Sequence, residues 1–140
     1  MSKSQDVIDA CKNNWDANKA DCSGFAKTVA TALGVTLTGD ANSIVDQITG
    51  AGWTVLADGA AAKNEADGGK FVVGALKGAD NVPVEDHGHV VIVVSGPLAA
   101  AKYPSAYWGR LNGVGEQNKT TNFAWNKDSR DKVTYSAITF

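Results

Sequence analysis

The run His89-Val-Val-Ile-Val-Val-Ser95 constrains this chain most, because both its even and its odd positions are apolar. Successive side chains of a strand point to opposite faces, so a strand of this kind belongs at the centre of a sheet, buried on both sides. Phe71-Val-Val-Gly-Ala-Leu76 has the same character and predicts a second buried strand. Weaker strand patterns lie around Tyr107 to Leu111 and from Val133 to Ile138, while Gly96-Pro97 and the polar run Glu116 to Asn122 read as loops.

Helical spacing dominates the first seventy residues. Val7, Ile8, Cys11 and Trp15 fall on one face of a helix of about three turns ending near Asn18, with Ser2 and Gln5 as a capping box. A second helix opens at Cys22, buries Phe25, Ala26, Val29, Ala30 and Leu33, and closes at Gly34. A third starts near Ala41 behind the capping Asp40, turns Ile44, Val45 and Ile48 inward and ends at Gly50. Helices first and strands afterwards predict an α+β domain over residues 1–140, its N-terminal helices packed on a mostly antiparallel sheet. Contact between helix and sheet would bring Cys22 near His89.

Charge narrows the partners. A net charge of -2, with Lys and Arg scattered among Asp and Glu, supplies no basic field for a nucleic acid. No apolar stretch approaches the eighteen or so residues of a membrane span, and Met1 to Asp6 lead into a helix without the apolar core and cleavage site of a secretory signal. The two cysteines, Cys11 and Cys22, are too few for a disulfide framework. On the inward face of its helix, Cys11 reads as a packed core thiol.

Cys22 stands differently. At a helix start it faces the positive end of the macrodipole and unpaired backbone N–H groups, which favour thiolate. A fall in pKa from about 8.5 to about 6.5 would raise the thiolate share at pH 7 from a few per cent to roughly three-quarters, with Asp21 opposing the shift. The N–H groups of Cys22 and Ser23 are also placed to receive the oxyanion of an attacked carbonyl. Gly24 permits a close approach beside the sulfur, and Phe25 anchors the turn in the core. Opening the central strand after Gly88, His89 is the candidate base that takes the thiol proton and returns it to a leaving amine. His87, on the loop before it, is the weaker candidate. Asp80, Glu85, Asp86, Asn112 or a backbone carbonyl could each orient His89, and spacing does not choose among them.

Trp53, Tyr107, Trp108 and Trp125 could line a groove, but aromatic residues in a domain of this size are mostly packing residues. Two histidines two positions apart and two isolated cysteines do not make a closed tetrahedral metal set, so neither metal nor cofactor is expected.

Asp21-Cys-Ser-Gly-Phe25, a helix, and then Gly88-His89 opening an apolar strand resemble the signature of the NlpC-type cell-wall peptidases, a papain-like group. Over Ala10 to Asp16, Gly88 to Pro97 and Trp125 to Asp131 the sequence looks like the type VI secretion amidase effectors of family 1. That resemblance implies a papain-like fold with Cys22 as nucleophile and His89 as base. It implies a toxin delivered by the type VI apparatus into the periplasm of a competing bacterium, where it cuts peptidoglycan stem peptides between γ-D-glutamate and meso-diaminopimelate. A cognate immunity protein is implied as a partner, and a monomer is expected. The alternatives are a housekeeping wall hydrolase or acyltransferase of the same fold, or a non-catalytic wall-binding module.

Overall fold

A computed structural model describes residues 2–140. Six strands form one sheet in the order β1-β6-β2-β3-β4-β5: β1 Thr54–Leu56, β2 Phe71–Leu76, β3 His89–Val93, β4 Ser105–Trp108, β5 Glu116–Thr120 and β6 Thr134–Ile138. Every pairing is antiparallel. β2 and β3 are therefore central, and each face of the sheet carries its own apolar layer. Phe71, Val73, Ala75, Val90, Ile92 and Val94 pack beneath helices α1 Lys3–Asn18, α2 Cys22–Ala32 and α3 Ala41–Ile48. The alternate residues Val72, Leu76, Val91 and Val93 join Trp108, Trp125, Tyr135 and two alanines of α4, Gly59–Asp67, on the other face. This double cover is why β2 and β3 read as unbroken apolar runs.

The helix starts follow their capping residues. Ser2 Oγ accepts from Gln5 N at 3.2 Å, Asp21 from Gly24 N at 3.1 Å, and Asp40 from Ser43 N at 2.9 Å. α1 reaches 16 residues, longer than about three turns, because it begins immediately behind Ser2. Cys11 is fully buried, and burial pushes its thiol pKa up.

Two expectations fail here. Glu116–Thr120 is not a loop but strand β5 at the sheet edge; an edge strand that faces solvent needs no apolar alternation, and its charges discourage pairing with another chain. β4 lies at Ser105–Trp108 rather than around Tyr107 to Leu111. It stops where Gly109 passes against the α1–α2 turn, so close that a Cβ there would sit 2.4 Å from both Asn18 O and Asp21 O. Gly109 thereby locks the end of β4 to the residue that caps the helix of Cys22.

Candidate active site

The first turn of α2 is built around Asp21. Its carboxylate accepts from Gly24 N and from Ser23 Oγ, and its carbonyl accepts from Phe25 N at 2.9 Å. A Cβ at Gly24 would lie 2.5 Å from Asp21 Oδ2, so the close approach that requires glycine is the capping carboxylate itself. Phe25 is fully buried in the helix-side core and fixes the turn from below. With Gly24 N and Phe25 N taken by Asp21, the N–H groups of Cys22 and Ser23 have no oxygen acceptor among the described residues and point toward the Cys22 sulfur.

Cys22 and His89 line one cavity of about 360 Å³, within the ordinary range for a ligand site. Asn81, Glu85, His87 and Gly88 enter it from the loop between β2 and β3, Arg110 to Asn112 from the β4–β5 turn, and Ala124 to Asn126 from the segment between β5 and β6. The β2–β3 loop is tied at both flanks: Gly78 N donates to Asn42 Oδ1 at 3.0 Å, and Val82 N to the buried Ser129 Oγ at 2.9 Å. His87 is exposed on that loop, whereas His89 is partly buried at the head of β3. Among the described residues no group of three or more His, Cys, Asp or Glu is placed to hold a metal.

The electrostatics reverse the expectation of a preformed thiolate. Burial raises the Cys22 pKa and Asp21 adds to it, outweighing the pull of the N–H groups of Val90, Ser23 and Cys22. Burial, with a smaller contribution from Arg110, holds His89 down at about 4. At neutral pH the pair therefore rests as thiol and neutral imidazole.

Among the described residues no polar side chain bonds to the imidazole. Of the four candidates, Glu85 and Asn112 line the cavity and Asp80 and Asp86 do not; none bonds to His89. The ring is held instead by two aromatic edges, Trp125 at 5.2 Å and 71° and Trp108 at 6.3 Å and 87° between centroids. Both are buried, and no spacing rule ties them to His89 because they arrive from β4 and from the segment before β6. Trp53 instead packs on Phe71, and Tyr107 joins the helix-side core.

The depressed His89 has a consequence for stability. Unfolded, its pKa returns to about 6.5, so between pH 6.5 and 4 the unfolded chain binds more protons than the folded one. Stability contributed by the neutral ring is present above pH 6.5 and is lost as pH falls toward 4. Urea midpoints are expected to drop across that window, and His89→Gln should flatten the slope; an unchanged slope would mean that the ring is not desolvated in solution.

The chain is similar to peptidoglycan amidase Tse1 of Pseudomonas aeruginosa, with 40% identity over 145 aligned positions that cover 96% of this chain and 90% of that protein. No family model matches the chain.

Proposed function

This chain belongs to family 1 of the type VI secretion amidase effectors, and we propose that it is a peptidoglycan amidase that cuts stem peptides between γ-D-glutamate and meso-diaminopimelate. The observation that carries this reading is the presence of Cys22, two free N–H groups and an uncharged His89 in one cavity. As the Cys22 sulfur attacks the scissile carbonyl, His89 takes the thiol proton, so thiolate exists only while the new bond forms. The N–H groups of Cys22 and Ser23 receive the developing oxyanion. A ring whose pKa is held low gives its proton up readily to the leaving amine. The thioester is then hydrolysed by a water that His89 deprotonates, which restores the thiol.

In the proposed setting the type VI apparatus delivers the protein to the periplasm of a recipient bacterium, and an immunity protein guards the producer. Defined muropeptides incubated with the purified protein and resolved by mass spectrometry test the chemistry. The expected products differ from the substrate by one added water and divide at the glutamyl carbonyl. Cleavage at another bond, or transfer to an added amine without hydrolysis, would replace this reading with that of a different wall hydrolase or an acyltransferase.

A further inference from the structure

We propose that Arg110 is the receptor for the free α-carboxylate of the glutamyl residue whose side-chain carbonyl is cut, an inference that rests on the amidase reading above. Arg110 lines the same cavity as Cys22 and His89 and is the one arginine or lysine that does so. Its guanidinium makes no ion pair and no hydrogen bond among the described residues. Glu85, the acidic residue of the cavity, does not approach it within ion-pair distance. An arginine held at the edge of a cavity without a carboxylate of its own presents its donor fork to a ligand carboxylate.

The backbone beneath it is fixed. Arg110 N donates to Lys19 O at 3.0 Å, Gly115 N donates to the same oxygen at 2.8 Å, and Gly113 N returns to Arg110 O at 3.2 Å. Asn112 closes this turn with φ 61. Gly109, wedged against Asn18 O and Asp21 O, joins Arg110 to the residue before the nucleophile. The backbone that carries the cation is therefore tied to the segment before Cys22, and the charge is near enough to His89 to help hold that ring uncharged.

Substrate chemistry completes the argument. A glutamyl residue linked through its γ-carbonyl keeps its α-carboxylate free, three carbons from the carbonyl that is attacked. An ordinary α-linked peptide offers no carboxylate at that place, so a cation that meets it there selects γ-linked glutamate. In the mechanism Arg110 binds and orients; it transfers no proton.

Two stem peptides, identical except that one carries the free α-carboxylate and the other its carboxamide, provide the test. Binding to the Cys22→Ala protein and kcat/KM for the Cys22-intact protein are both measured. The carboxylate form is expected to be favoured about ten- to hundredfold, Arg110→Gln to bring the ratio close to one, and Arg110→Lys to keep part of it. An Arg110→Gln protein that keeps the ratio, even if it weakens both peptides, would overturn the proposal. Binding decides the question without turnover, so failure of the Cys22-intact protein to cleave either peptide would count against the amidase reading separately.

Discussion

Cys22→Ala is expected to lower muropeptide hydrolysis by about 10⁴- to 10⁶-fold, the scale seen when a covalent nucleophile is removed, while the domain stays folded. The two halves of that expectation have separate structural grounds. The helix start keeps its cap without the sulfur, because Asp21 and not Cys22 bonds Gly24 N and Phe25 N. Stability should therefore fall by only roughly 1 kcal/mol. Rates come from mass-resolved product formation and stability from urea unfolding of the same preparation. Activity above a hundredth of the Cys22 protein's would remove the sulfur from the mechanism.

Phe25→Ala is expected to have the largest effect on stability, about 3 to 5 kcal/mol. Phe25 has no exposed surface and sits in the core shared by α1, α2, α3 and the helix-side face of the sheet. Truncation leaves a cavity that helices held on several sides cannot close. Against a typical total of 5–15 kcal/mol, that is a third or more of the stability of a domain of this size. Because Phe25 stands one turn along from Cys22, activity should fall even where the variant remains folded. A loss under about 1 kcal/mol in urea unfolding would show that the core collapses around the gap.

The parts of the fold that were legible in the sequence are those where burial imposes a pattern. β2 and β3 announced themselves through apolar residues on both faces, α2 through its inward stripe and closing glycine, and α3 through its capping aspartate and inward stripe. β5 was not legible, since solvent on its open side demands nothing of Glu116 to Thr120. Nor was α4, whose alanines bury a narrow stripe that leaves little periodic contrast. β1 has only three residues, two of them exposed.

The site divides in the same way. The positions of Cys22 and His89, at the head of a helix and of a central strand, were legible because they follow from local pattern. Their protonation was not, since desolvation depends on what the whole fold stacks above them, and burial outweighs the helix end at Cys22. The support behind His89 was sought among Asp80, Glu85, Asp86 and Asn112, because a hydrogen-bonding partner is what sequence reasoning looks for. Trp108 and Trp125 supply it by packing, which leaves no signature in spacing.

The uncharged state of Cys22 also bears on durability. Thiolates, not buried thiols, attack peroxides and disulfides, so oxidation follows ionisation and exposure together. Cys11 is sealed in the core, and burial raises the pKa of the Cys22 thiol as well. In the proposed mechanism such a thiol should resist oxidation while idle and become reactive only when substrate arrives.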